Sequence, residues 1–424
     1  MRIIPSASRN IILLSLLGLM LAGVWMALGV AFTLRMLVEA SCYALLALGL
    51  TIQWGYAGLF NAGVMGFVAL GGFMTVFLSF PRNEVFWNSV LAGKLGTVLL
   101  TAIAGVVLVF AASKLHRIGA SKGFRTFVTL VVLALAYLAV MRGLEPVIAD
   151  IEAGPGWIGG FGLPVAVGWI GGGAAAGLVG YWIGRICLGL RTDYLAIATL
   201  GIAEIIKSLL KNSDWLTRGT LTVSPLPWPV PTPNEIGFVS ARAAYLCVTA
   251  AILVVVFALL QRAYHAPWGR MMRAIRDNEK AASAMGKDVD RRRLQIFTLG
   301  CIIMGVGGAA MASFVGIFDP GGFVPLNHTF LIWVMVILGG AGNNFGAIFG
   351  ALFVYVIWMM SEPLALFLFG LARDLGHDWF GWVAPSDLDS RALQMRVFVI
   401  GLTITLVLRF APRGLMPEPV RHES

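Results

Sequence analysis

R-A-Y-H-A-P-W-G-R-M-M-R-A-I-R-D-N-E-K-A-A-S-A-M-G-K-D-V-D-R-R-R, residues 262–293, is a charged island in an otherwise apolar chain. Apolar runs over 241–260 and 294–318 flank it, each near the ~20 residues that a helix needs to cross a bilayer core. The island is therefore a loop between two spans, and the fold class is an all-α, polytopic integral membrane protein. Within the loop, Arg270 to Met285 has helical spacing. Met272, Ile275, Ala282 and Met285 gather toward one side, Arg273, Arg276, Asp277 and Lys280 fall mostly elsewhere, and Gly286 stops the helix. Such a helix lies on lipid headgroups, packs on its own bundle, or fills a groove in a partner protein; a solvated basic loop is the remaining reading.

Composition agrees with the spans. The 424 residues are 58% hydrophobic and 12% charged, with mean hydropathy +0.85, whereas soluble domains spend about a quarter of their residues on charge. No Pro- or Ser-rich linker sets off a soluble part, so one domain over 1–424 is expected, with the 262–293 loop as its main extramembrane piece. Ten full spans are expected at 11–30, 34–54, 64–80, 95–113, 126–141, 164–184, 194–210, 241–260, 294–318 and 392–408. The pieces 330–338 and 347–360 read as a broken hairpin, and 361–391 as a long inserted loop. Arg2 and Arg9 precede the first run, whose length fits an uncleaved first span better than a cleaved signal.

The net charge of +10 belongs beside the spans, which points to orientation and not to nucleic acid, because Lys and Arg accumulate on the cytoplasmic side. With the N-terminus inside, the loop with Lys114, Arg117, Lys122 and Arg125 falls inside, as do Arg185, Arg191, the 262–293 loop, Arg409 and Arg413. The acidic groups Glu145, Asp150 and Glu152, and Asp374, Asp378, Asp387 and Asp389, fall outside. The expected topology has both termini in the cytoplasm. Reporter fusions after Arg276 and after Ser386 are expected to report opposite sides; the same side for both would remove this topology.

Two glycine-interrupted segments stand out, G-Y-A-G-L-F-N-A-G-V-M-G-F (55–67) and L-G-G-A-G-N-N-F-G-A-I-F-G (338–350). Broken helices in the two halves of a transporter mark the translocation path, since unwound backbone is tolerated only where protein or water covers it; glycine also serves plain tight helix packing. Asn61, Asn343 and Asn344 favour the path, because amides in a broken segment need partners. Phe60 and Gly63 complete the candidate path residues. Glu39, Glu204 and Lys207 are ionisable groups in or beside spans. Arg35 precedes Glu39 by one helical turn, and Glu204 and Lys207 are spaced to pair along one helix, so ion pairing competes with a proton-relay role.

Other chemistry has no motif. Cys42, Cys187, Cys247 and Cys301 lack C-x-x-C spacing, and His116, His265, His328, His377 and His422 are scattered, so neither a disulfide framework nor a metal site follows. There is no G-x-x-x-x-G-K-S/T, H-E-x-x-H or G-x-S-x-G. No catalytic residue and no directly bound cofactor are expected; transport, channel or scaffold roles remain.

The stretch 269–286, the following span L-Q-I-F-T-L-G-C-I-I-M-G-V-G-G-A-A-M-A, D-Y-L-A-I-A-T-L-G-I-A-E-I (193–205), W-V-M-V-I-L-G-G-A-G-N-N-F-G-A-I-F-G-A-L (333–352) and P-R-G-L (412–415) together resemble the LivM family. These are permease subunits of ATP-binding-cassette importers for branched-chain amino acids, and order and spacing match over roughly residues 40–415. The resemblance implies a non-catalytic permease subunit in a bacterial inner membrane. It implies as partners a second, LivH-like permease, two ATP-binding subunits that use the ATP, and a periplasmic binding protein docking on outward loops such as 213–240. It also makes the 262–293 loop the site of a coupling helix that docks in the ATPase. Of the usual E-A-A-x-x-x-G, Ala281, Ala282 and Gly286 keep their places. Lys280 stands where Glu is usual, with Glu279 one position earlier; Arg273, Arg276 and Asp277 belong to the same coupling surface.

Departures bear on the solute. The usual G-x-x-S-L-G-H-A is here replaced around Asn61 and lacks its His, and the stretch 214–233 is Pro-rich instead of T-G-G followed by a glycine-rich turn. Branched-chain or related amino acids are the expected cargo; urea or short amides are the alternative within the family, and an ATP-independent secondary carrier the alternative outside it.

Overall fold

The computed structural model describes residues 6–115, 121–380, 385 and 387–418. Of the residues named above, Arg2, His116, Arg117, Ser386 and His422 lie outside them. The described residues are mainly helical: α1 Ser6–Thr51, extended by a π-helical turn Ile52–Tyr56, then α2 Val64–Ser79, α3 Glu84–Trp87, α4 Val90–Ser113 and α5 Lys122–Ala153. There follow α6 Val165–Cys187, α7 Thr192–Lys211, α8 Asp214–Thr217, α9 Pro233–Ile236, α10 Phe238–His265, α11 Pro267–Asp277 and α12 Glu279–Ala284. The last four are α13 Val289–Val315, α14 Pro325–Gly339, α15 Asn344–Phe380 and α16 Leu388–Phe410.

Among the described residues, eight helices are long and apolar enough to cross a membrane, not ten. The two expected spans at 11–30 and 34–54 lie in the single helix α1. At 1.5 Å per residue a straight α1 would run ~69 Å, more than twice a bilayer core. Gly29 breaks it, with φ 79° and ψ 172°, and Gly18 and Leu34 line one crevice, which a straight helix would hold ~24 Å apart. The helix therefore bends sharply at Gly29. Expected span 64–80 is the short α2, and 194–210 is the amphipathic α7. The expected 361–391 loop is mostly helix, because α15 runs on through Pro363 to Phe380.

The core sits where α2, α6 and α13 cross, with the second half of α1 against them. Small residues let these backbones touch. A β-carbon on Gly71 would lie 2.0 Å from the Gly305 carbonyl oxygen, and one on Gly172 would lie 3.0 Å from the Gly71 α-carbon. The most apolar window of α13 is 72% buried, whereas those of α5 and α16 are not buried at all, so α13 is the hub and α5 and α16 present leucines, valines and phenylalanines outward. Two buried polar pairs brace this core: the Trp169 indole donates to Ser313 Oγ at 3.0 Å and the Tyr245 hydroxyl to the Ala310 carbonyl at 2.7 Å.

The two ends of the bundle differ. The 262–293 loop precedes α13, whereas the stretch after α13 is bonded to residues 223–226, with Val223 and Phe318 exchanging backbone hydrogen bonds. The 213–240 segment thus lies at the end opposite the charged loop. The segment after α16 returns to the charged loop's end, where Tyr264 meets Glu418.

Candidate functional site: the joint of the two broken segments

Both glycine-interrupted segments lie at the charged loop's end of the bundle, and they touch. A β-carbon on Gly55 would be 2.4 Å from the Gly342 nitrogen. The Tyr56 hydroxyl donates to Asn344 Oδ1 at 2.8 Å, and Asn344 Nδ2 donates to Gln261 Oε1 at 3.1 Å. Asn343 caps its own turn, accepting from the Phe345 amide at 3.0 Å, and donates to the Met416 carbonyl at 3.0 Å.

Residues 58–63 are irregular backbone entering a membrane protein's interior, where unpaired amides are costly. The Gly58 and Leu59 amides donate to the Trp54 and Gln53 carbonyls at 2.9 and 3.0 Å. Asn61 Oδ1 accepts from the Gly63 amide at 2.8 Å, its Nδ2 donates to Gln53 Oε1 at 2.9 Å, and its carbonyl accepts from the Trp333 indole at 3.1 Å. The Ala62 amide donates to Thr199 Oγ1 at 3.0 Å. Gln53, fully buried, donates to the Phe297 carbonyl at 2.9 Å, tying the break to the hub helix. Phe60 stacks on Trp333, ring centroids 4.0 Å apart.

Of the five path candidates, Asn61, Asn343 and Asn344 are therefore engaged with the protein itself. Gly63 borders a crevice too narrow to hold a water molecule, shared with Phe67, Thr199 and Ala203. Phe60, Asn61 and Gly63 gather around Gln53, Trp333 and Thr199, while Asn343 and Asn344 gather around Gly55, Tyr56 and Gln261.

The charged loop sits directly on this joint. It holds two helices where one was expected: Asn278, at φ −154° and ψ 98°, ends α11 and caps α12 by accepting from the Ala281 amide at 3.0 Å. Side-chain competition with the backbone is why Asn favours such a start. Met272, Ile275 and Ala282 turn inward and are buried as their spacing implied, but Met285 is 80% exposed, because the break at Asn278 resets the helical register. Arg276 Nη1 donates to the Gly55 carbonyl, at the negative end of the first broken helix. Its other contacts are Glu418 Oε2 at 3.1 Å and Asp277 Oδ1 at 3.1 Å. Partial burial disfavours the charged guanidinium, but Glu418 and Asp277 outweigh it and raise its pKa above the ordinary Arg value. Arg273 lies over the Tyr264 ring, 4.1 Å from its centroid. Glu279 pairs with Arg293 at 2.9 Å, Ala281 is exposed, and Gly286, at φ 74°, follows α12.

Glu39 and Glu204 are both engaged. Glu39 pairs with Arg35 at 3.0 Å and accepts from the Tyr355 hydroxyl; Glu204 pairs with Lys207 at 2.8 Å. Among the described residues no group of three or more His, Cys, Asp or Glu is placed to hold a metal ion. Gln53, Tyr264, Trp333 and Glu418 were not singled out from sequence. Gln53 is a lone amide in an apolar run and carries a signal of its own, whereas Glu418 lies in an ordinary polar stretch.

Comparison with known proteins bears on this joint. A family described as branched-chain amino acid transport system / permease component matches residues 32–159 and 123–408. The probable branched-chain amino acid transport permease protein LivM of Methanocaldococcus jannaschii is 27% identical over 234 residues, 54% of this chain and 61% of that protein. The high-affinity branched-chain amino acid transport system permease protein LivM of Escherichia coli is 31% identical over 250 residues, 54% of this chain and 52% of that protein. The fructose import permease protein FrcC of Rhizobium meliloti is 32% identical over 93 residues, 21% of this chain and 26% of that protein. The chain thus spans between half and three fifths of the two LivM relatives. No solved structure gives a significant match.

Proposed function

Because the chain belongs to the branched-chain amino acid transport system / permease component family, we propose that it is the membrane-spanning subunit of an ATP-binding-cassette importer. In this reading a periplasmic binding protein delivers branched-chain or related amino acids to the 213–240 end. Two separate ATP-binding subunits engage the 262–293 loop, and a second, LivH-like permease completes the path. The membrane is a bacterial inner membrane, with both termini cytoplasmic. The substrate rests on relatives whose stated cargoes include both branched-chain amino acids and fructose, and urea or short amides remain the alternative.

The observation that carries the reading is the two-sided loop. Its inner face, through Arg276, bonds the broken end of α1; its outer face offers Ala281, Ala284 and the exposed Met285 to a partner. Small residues with one apolar projection suit a helix entering a groove. A push on the outer face therefore arrives at the Gly55–Gly342 contact, the closed inner end where Asn343 and Asn344 sit. Phe60, Asn61 and Gly63 then form the hinge from which α2 departs along the path.

Ala282 is 7% exposed and packs within the chain, so a docking test belongs on the outer face. Met285→Asp is expected to leave the protein inserted, to release the ATP-binding subunit during purification in mild detergent, and to cut uptake about tenfold or more, as loss of a buried apolar anchor does. Normal uptake with the ATP-binding subunit retained would count against docking here. A secondary carrier instead requires a free intramembrane carboxylate, and the ion pairs of Glu39 and Glu204 speak against it.

A further inference from the structure

A short strap, residues 411–418, crosses the joint from the far end of the chain. The Leu415 amide donates to the Leu338 carbonyl at 2.7 Å and the Met416 amide to the Gly339 carbonyl at 3.1 Å, while the Met416 carbonyl receives Asn343. Met416 is 1% exposed. The strap is thereby fixed to the end of α14, and it carries Glu418 over Gly342. A β-carbon on Gly342 would meet Glu418 Oε2 at 3.0 Å and Arg276 Nη1 at 3.3 Å, so the ion pair fills the place a side chain would take.

Glu418 gathers three groups from the charged loop's end. Oε1 accepts from the Tyr264 hydroxyl at 2.8 Å and faces Arg273 Nη1 at 3.7 Å; Oε2 faces Arg276 Nη1 at 3.1 Å. Its side chain is 18% exposed, so these bonds are shielded from the screening that weakens surface pairs. Arg276 spends the same Nη1 on the Gly55 carbonyl. A single carboxylate thus links the strap, and with it the second broken segment, to the foot of α10, to α11 and, through Arg276, to the first broken segment.

We infer that Glu418 is a positioning residue that holds Arg276 on the Gly55 carbonyl, making α11 and the two broken segments move as one body. Without it, α11 keeps its apolar seat through Met272 and Ile275, but the guanidinium swings free and a displacement of the loop no longer reaches Gly55. The role in transport rests on the coupling reading above; the clamp itself does not.

Hydrogen exchange on the purified full chain tests the clamp without any partner. Glu418→Gln, which keeps the shape and removes the charge, is expected to raise exchange in 267–277 and 338–346 by about tenfold, the cost of one charge-assisted contact. Glu418→Asp should leave it within about threefold, and both variants should melt within a few degrees of the parent. Unchanged exchange in Glu418→Gln overturns the clamp. In the assembled importer, Glu418→Gln should retain the ATP-binding subunit and hydrolyse ATP while uptake falls about tenfold. Raised exchange with full uptake overturns the positioning role. Should Met285→Asp leave the ATP-binding subunit bound, the coupling reading fails while the exchange result still decides the clamp.

Discussion

Gly71→Val is expected to leave almost no folded protein in the membrane. At this position α2, α6 and α13 meet backbone to backbone, and the first carbon of any side chain would lie 2.0 Å from the Gly305 carbonyl oxygen and 2.8 Å from its carbon. Neither atom belongs to a flexible side chain that can rotate away. The α2–α13 pair must separate by more than an ångström, and Gly172, packed against Gly71, must follow. Ordinary overpacking costs about 1–3 kcal/mol, and this one parts α2 from both of the helices it meets in the hub, so it should exceed that range. Gly96→Val is the matched control, because nothing lies within 4 Å of the side chain it would add. Membrane-fraction levels and melting in detergent provide the measurement. Near-parental values for Gly71→Val would mean that these three helices do not meet there.

Gln53 and Asn61 should fail together. Gln53→Leu strands the Asn61 amide donor and removes a bond to the Phe297 carbonyl, and each buried group left unpaired costs about 1–3 kcal/mol. Asn61→Leu strands Gln53 Oε1 and also uncaps the Gly63 amide, so it should be the more damaging of the two. The double variant should be less destabilised than the sum, with an interaction energy of about 1–2 kcal/mol, since the second substitution removes a partner already lost. Strict additivity in a double-mutant cycle on melting would separate the two residues. Because this pair fixes residues 58–63 to the hub helix, uptake should fall in step with stability.

Much of the site was legible from residue type. The loop at 262–293, the two glycine breaks, and the pairing of Glu39 with Arg35 and of Glu204 with Lys207 all follow from local spacing, and the structure contains each of them. The break at Asn278 was legible in principle, since Asn followed by Glu is a helix start, but the amphipathic run across it masked the signal and carried Met285 to the wrong face. Asn61, Asn343 and Asn344 were read as amides in need of partners. Which partners was beyond the sequence, because Gln53, Trp333, Gln261 and Met416 come from other helices or from distant chain.

A polytopic helical membrane protein with a charged loop and two broken segments could be read from residue order alone, because hydropathy and glycine act over a single turn or span and need no knowledge of neighbours. That α1 bends sharply at Gly29, that the two breaks meet at Gly55 and Gly342, and that Glu418 reaches across to Arg276 emerge only in three dimensions. Those outcomes depend on which backbones approach within a few ångströms, and that is fixed by packing of the whole bundle and not by any local run of residues.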